Sequence, residues 1–329
     1  MKQKTGVLLF NLGGPGTLAE VEPFLVNLFS DRDIIELPFG PRVQPLFARL
    51  IAKVRGPAVR RNYASIGGGS PQLRLTREQA GALEARLNRQ GDRVRVAIAM
   101  RYWQPSTEEA LRTLAAEGVE RIVTLTLYPH YSKATTGSSE RELGRVLARP
   151  EWRGRFRIEG IDRYPEEPRY LAALADSVAR ALNSFPVETR EEVVLLFSAH
   201  GLPQRFVDAG DPYVRETEAS VRGVLSHLGV KNRHALAYQS RTGPVKWIGP
   251  GTPETIARLA REGVRDLLVV PVSFVGDHIE TLYEVDQLFA GDAKRAGIRH
   301  YRRSAALNTH PLFIEALAGL VERRLEAAS

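Results

Sequence analysis

Apolar, β-branched runs recur at 6–12, 94–100, 121–128 and 156–161, and again at 193–198, 234–238, 266–273 and 298–301. Short runs of this composition read as strands. Helical-period stretches at 76–89, 105–117, 168–184, 213–228 and 253–262 separate most of them. Strands alternating with helices predict an α/β fold with parallel sheets covered on both sides. The runs fall into two sets of four, which predicts two four-stranded sheets, each flanked by helices. A last helical stretch, 311–327, follows the eighth strand and could pack on either half.

The two sets also echo each other in wording. "VLLFNLGGP" (7–15) resembles "VLLFSAHGLP" (194–203), with Gly13 standing where His200 stands. "LAAEGVERIVTLTLYP" (114–129) resembles "LAREGVRDLLVVPVSF" (259–274), and "PSTEEALRTLAAEG" resembles "GTPETIARLAREG". One such echo arises by chance. Several in the same order favour a duplicated unit.

In parallel α/β sheets, ligands gather beyond the carboxyl ends of the strands. The residues that follow each strand are therefore the candidates. Gly13, Gly14 and Gly16 follow the first. Arg101, Tyr102 and Trp103 follow the second, and His130, Tyr131 and Ser132 the third. His200 follows the fifth, and Gln239, Ser240 and Arg241 the sixth. After the seventh comes "SFVGDHIETLYEVD", with Asp277, His278, Glu280, Glu284 and Asp286. So many aromatic and ionisable groups at equivalent ends point to a cleft between the halves as the site.

Each motif has a plain reading beside the chemical one. "GPGTLA" (14–19) fits the loose dinucleotide fingerprint, but Pro15 removes an amide from the phosphate cradle, so a tight turn is the better reading. "IGGGSP" (66–71) lacks the Lys-Ser/Thr of a phosphate loop. Its glycines would still let a flat ligand approach the backbone. His200 has room between Ala199 and Gly201, whereas a lone histidine is usually a hydrogen-bonded core residue. Ser198 nearby lacks the G-x-S-x-G setting of a hydrolase nucleophile. If 279–288 is helical, Glu280 and Glu284 share one face. Carboxylates and imidazole without sulfur suit a borderline ion such as Fe²⁺. The spacing is not H-E-x-x-H, which argues against a zinc protease.

Composition narrows the field. The 329 residues, 43% hydrophobic and 26% charged, fit a soluble globular protein with a sizeable core. There is no cysteine, so disulfides, thiolate zinc sites and cysteine-ligated iron–sulfur clusters are excluded. The start "MKQKTGVLLFNLGGPG" is too short in apolar residues for a signal peptide. No run reaches the roughly 20 apolar residues of a membrane span. A cytoplasmic protein is expected, or one peripheral on the inner face of a membrane. The net charge of +8 comes without a recognition motif for nucleic acid, so no nucleic-acid partner is expected. It suits anionic lipid or a carboxylate-bearing substrate, or is merely a basic surface. The stretch 37–56, "LPFGPRVQPLFARLIAKVRG", mixes apolar and basic residues and reads as a lip that touches lipid, or as an ordinary amphipathic helix.

Six phrases in order, "NLGGPGTLAEV", "YASIGGGSP", "YPHYSKATTGSS", "SAHGLP", "YQSRTGPVKWIGP" and "DHIETLYE", resemble the ferrochelatase family from about residue 6 to 310. The resemblance implies two Rossmann-like domains with the active-site cleft between them. The first would comprise 1–163 with 306–329, its C-terminal helix returning to it, and the second 164–305. It implies insertion of Fe²⁺ into a free-base porphyrin, with release of two protons, to make haem. The ring is expected to be protoporphyrin IX, with coproporphyrin III as the alternative. Iron is then a substrate and no prosthetic group is expected.

By position, the resemblance makes His200 the catalytic histidine and Glu280 its acidic partner, with His278 and Asp277 beside it. Glu284 continues a line of acids for metal or protons, so His200, Glu280, His278, Asp277 and Glu284 form the metal set. Leu12, Arg101, Tyr102, Trp247 and Phe274 match residues lining the porphyrin. Arg55, Tyr63 and Ser70 match groups on its propionates, and Gln239 and Ser240 are counted with the substrate-binding residues. One position departs: Leu288 replaces the next acid of the line, leaving Asp286 as a substitute. Three rival readings are a cobalt or nickel chelatase, a non-catalytic tetrapyrrole or haem carrier, and a nucleotide-binding enzyme using "GGPG".

Overall fold

The computed structural model describes residues 4–34, 40, 42–89, 91, 94–241 and 245–327. It divides into two compact units, Met1–Arg163 with Leu317–Ser329, and Tyr164–Ala316.

In the first unit four strands, β1 (Thr5–Asn11), β2 (Val94–Met100), β3 (Arg121–Thr126) and β4 (Arg157–Ile161), form a parallel sheet in the order β2-β1-β3-β4. The helices are α1 (Val21–Ser30), α2 (Gln44–Ser65), α3 (Gln72–Leu87), α4 (Thr107–Ala116) and α5 (Thr136–Leu147). Leu8 and Phe10 of β1 join Leu111 and Leu114 of α4 and Val146 of α5 in one apolar core. The start of α4 is set by a reciprocal cap: Ser106 accepts from the Glu109 amide, and Glu109 accepts from the Ser106 amide.

The second unit repeats the plan. Strands β5 (Val194–His200), β6 (His234–Gln239), β7 (Asp266–Pro271) and β8 (His300–Arg303) are parallel in the order β6-β5-β7-β8. This is the strand order of the first sheet, as a duplicated unit requires. The helices are α6 (Pro168–Leu182), α7 (Gln204–Asp208), α8 (Tyr213–Leu228) and α9 (Thr252–Arg261), then a π-helix, Glu280–Phe289, which runs into α10 (Ala290–Ala296). Leu196, Ile256, Leu259, Val269, Val285 and Phe289 meet in its core.

The last helix, α11 (Pro311–Glu326), begins in the second unit, and its residues from Leu317 count with the first. The return was expected from 306. Residues 306–316 cluster with the second unit, because the Asn308 amide donates to Val275, His310 pairs with Asp176 at 2.8 Å, and Phe313 packs on Tyr170.

The repeat is broken at the place the sequence marks. β1 ends at Asn11, and Gly13 turns with φ +87°. A Cβ there would lie 2.9 Å from Trp103 Cβ and 3.1 Å from Met100 Cβ. On the side where a Cβ would stand, the turn packs against Trp103 and Met100 of its own unit. β5 continues two residues further, to His200, which pairs with Gln239.

Of the expected lip at 37–56, residues 37–39 and 41 lie outside the described residues. Gln44 onward is helix α2, which continues to Ser65 past an internal Pro57. Among the described residues, no helix is long and apolar enough to cross a membrane.

Candidate active site

The second unit brings the histidine and the acidic motif together. β5 delivers His200, whose backbone amide donates to Ser273 Oγ at 2.9 Å. The chain after β7 carries Phe274, His278 and Glu280, so neighbouring parallel strands supply both partners. His200 Nδ1 lies 2.8 Å from Glu280 Oε2, and His278 Nε2 lies 3.7 Å from the same oxygen. The Phe274 ring sits 4.3 Å from His278 and 6.2 Å from His200. Gly201, next to the histidine, has no room for a side chain: a Cβ would lie 2.7 Å from Gln239 O and 3.3 Å from the Trp247 ring.

The electrostatics follow from this packing. Burial opposes an imidazolium at His200, but the Glu280 charge and hydrogen bond, with Glu284 behind, raise its pKa above the ordinary value. Burial likewise opposes a carboxylate at Glu280, yet His200 and His278 hold it far below the usual range. Glu284 is the reverse case. Burial and the neighbouring Glu280 charge push it up to about 7, against a hydrogen bond from Ser240. Ser240 Oγ donates to Glu284 Oε2 at 2.7 Å from a left-handed backbone, φ +62°. That conformation is uncommon for serine and costs of order 1 kcal/mol or more.

The acids of the motif do not all join this group. Asp277 accepts from Thr281 at 3.0 Å and Asn308 at 3.2 Å, and pairs with Arg303 at 3.0 Å. Asp286 is held by the Arg303 fork at 2.7 and 2.9 Å. It therefore cannot stand in for the missing acid at Leu288, which is itself exposed. Among the described residues, no three His, Asp or Glu side chains are arranged to hold a metal ion.

Other second-unit candidates frame the histidine. Gln239 is buried. Its Oε1 accepts from Ser198 at 2.6 Å, while its Nε2 has no hydrogen-bond partner among the described residues. Trp247 bridges Pro203, and the Ile248 amide donates to Leu202.

In the first unit, Arg101 and Tyr102 are committed to a group the sequence reading missed. Asp31 Oδ2 accepts from Arg101 Nη2 at 2.8 Å, Tyr102 Oη at 2.6 Å and Ser138 Oγ at 2.6 Å. Burial opposes its charge, but these three donors hold Asp31 below the usual range. Its signal is the "DRD" (31–33) that follows α1. Leu12 is half-buried, and its carbonyl accepts from the Tyr102 amide. Tyr63 is buried in α2, whereas Arg55 on the same helix is exposed, 5.6 Å from the Phe29 ring. Ser70 packs beside Gly14, its amide donating to Pro15 at 2.7 Å.

His130 is the instructive contrast. It follows β3 much as His200 ends β5, yet it is fully buried and burial pushes it down to about 3. It is a neutral core histidine. At His200 the Glu280 carboxylate outweighs the effect of burial.

Residues 4–325 match the family model described as Ferrochelatase. A ferrochelatase of Geotalea uraniireducens is 51% identical over 328 residues, 99% of this chain and 100% of the relative. One of Synechocystis is 48% identical over 97% of this chain and 82% of the relative. Among solved structures, SirB from Bacillus subtilis with Fe3+ has the same fold, with a TM-score of 0.57 at 15% identity, over 98% of this chain and 96% of that one. By sequence over nearly its whole length, with the fold in agreement, this chain belongs to the ferrochelatase family, the enzymes that insert iron into a porphyrin to make haem.

Proposed function

We propose that the ring this ferrochelatase fills is protoporphyrin IX, and that His200 takes the pyrrole protons with Glu280 as its partner. The observation that carries the proton-transfer part of the reading is the 2.8 Å contact between His200 Nδ1 and Glu280 Oε2, while the choice of ring rests on the resemblance of the opening residues. The contact occupies one ring nitrogen and leaves Nε2 for the substrate. A free-base porphyrin holds two inner N–H groups in its plane, and Fe²⁺ enters only as both protons leave. An imidazole whose basicity is raised by a carboxylate is suited to accept them one at a time near neutral pH, giving up the first before the second leaves. Glu284, at about 7, can take up a proton and release it again under the same conditions. Fe²⁺ then meets the imidazole and carboxylate oxygens of this group, a donor set that suits it.

The first unit contributes charge to the reading. Arg55 is exposed on α2 and suits a propionate, and the net charge of +8 favours an anionic ring. On the same helix Leu46, Leu50 and Val54 are 66, 57 and 72% exposed at intervals of four, so they form one stripe. With Arg49 and Lys53 beside them, they support a peripheral contact with an anionic membrane surface in an otherwise cytoplasmic enzyme.

Anaerobic turnover with protoporphyrin IX and with coproporphyrin III tests the substrate. Faster insertion into the second would overturn that part. Porphyrin binding without metal-dependent turnover would replace the enzyme reading with that of a carrier, and competition with cobalt and nickel tests the metal. Sedimentation with anionic vesicles tests the stripe, which Leu50→Asp should abolish.

A further inference from the structure

The motif that carries Glu280 and Glu284 contains two more acids, and one arginine separates the pairs. Arg303 gives Nη1 to Asp277 at 3.0 Å and both Nε and Nη2 to Asp286. Asp277 lies just before the π-helix and Asp286 within it. Two residues back on β8, Tyr301 donates its hydroxyl to the Val285 carbonyl at 2.7 Å. Residues two apart on a strand share a face, so one face of β8 grips the wide helix at its start and in its middle. Glu280 and Glu284 lie between the grips, and their partners are His200, His278 and Ser240.

We propose that Arg303 and Tyr301 are positioning residues for metal insertion. They fix the π-helix so that Glu280 meets His200 and Glu284 meets Ser240, and Arg303 withholds Asp277 and Asp286 from the metal. The proposal rests on the reading that His200 and Glu280 perform the insertion. The physical basis is the planar fork of arginine, which matches two carboxylates at once where a lysine cannot. A helix closed over five residues is a rare geometry that surrounding contacts must hold.

The test is a mutant cycle of Arg303→Gln, Asp277→Asn and the double variant, with Tyr301→Phe, Arg303→Lys and Glu280→Gln alongside. Porphyrin affinity is read by fluorescence, folding by thermal denaturation, and kcat and the KM for Fe²⁺ by anaerobic assay. Arg303→Gln should lower kcat about 10²-fold, the scale of a slight misplacement of catalytic groups, and raise the KM for Fe²⁺. Porphyrin affinity should not change. The double variant should be no worse than Arg303→Gln alone, since the pair is already broken. An Asp277→Asn as inactive as Glu280→Gln, with losses that add fully to those of Arg303→Gln, would make Asp277 a metal ligand and overturn the proposal. Should Arg303→Gln not fold, Tyr301→Phe and Arg303→Lys carry the test. Each should bind porphyrin normally and insert iron more slowly, and wild-type kinetics in both would overturn it. Full activity in Glu280→Gln would overturn the underlying site reading instead.

Discussion

The imidazole of His200 and the carboxylate of Glu280 share one hydrogen bond, although they are 80 residues apart in the chain. Each shifts the other toward its charged form: the histidine is raised and the acid is lowered. A third group, Glu284, pays the electrostatic cost and is raised to about 7. The site thus holds a committed carboxylate beside one that exchanges its proton near neutrality.

His200→Ala should reduce metal insertion by about 10²–10⁴, the usual worth of a general base. Folding should suffer less. The side chain is 36% exposed, and Glu280 keeps His278 beside it and can take up a proton instead of remaining charged. Anaerobic insertion assays and thermal denaturation of the same preparation check both halves. Near wild-type insertion would reduce His200 to a core histidine like His130.

Glu284→Gln should stabilise the protein above pH 7. The folded state keeps on Glu284 a proton that the unfolded chain has lost, so this group's contribution to stability falls as pH rises from about 4.5 to about 7. Glutamine lacks that penalty, worth up to about 3 kcal/mol. Denaturant unfolding of wild type and variant across this window should show curves that diverge as pH rises. Glu280→Gln should show the opposite sign. Its carboxylate is held low, so its stabilisation is present above the ordinary Glu pKa and is lost as pH falls through the folded value.

Asp31→Ala should cost about 3 kcal/mol or more, because it leaves the Arg101 charge partly buried without its partner. Asp31→Asn keeps an acceptor and should cost less. Urea midpoints of both variants measure this, and equal midpoints for wild type and Asp31→Ala would show the network to be dispensable.

Gly13→Ala should lose about 1–3 kcal/mol through its left-handed backbone and its contact with Trp103. The activity of the molecules that remain folded should be near normal. A lower rate at unchanged melting temperature would instead place a ligand against this turn.

The central strands β1, β3, β5 and β7 were legible because their apolar runs are buried nearly throughout, whereas the edge strands β4 (RIEGI) and β8 (HYRR) leave a fainter mark, and the run expected at 298–301 overlaps β8 by only two residues. Helices α1 and α5 were not marked out. The latter begins "TGSS" (136–139), four residues with little helical preference, and tertiary contacts decide its conformation. "DHIETLYE" was legible as a chemical motif, but its division of labour was not. Nothing in the spacing says that Asp277 and Asp286 answer an arginine, 26 and 17 positions away for Arg303, in a chain with arginines throughout. Nor could spacing show that Arg101 and Tyr102, placed by resemblance along the ring, spend their polar groups on Asp31. Such assignments depend on which strand ends are neighbours, and only the folded sheet supplies that.

β5 outruns β1 by two residues, and the parity of that number matters. Along a strand the side chains alternate, so an extension by two carries the chain about 7 Å onward and returns to the same side of the sheet. His200 therefore faces as Ser198 does. An extension by one would have delivered the imidazole to the opposite layer, under the other set of helices. A duplicated fold can turn one copy into a reagent by a change this small, provided that it comes in whole pleats. Insertions or deletions of a single residue in 194–200 should be far less tolerated than substitutions there, because they move the histidine to the wrong side of the sheet.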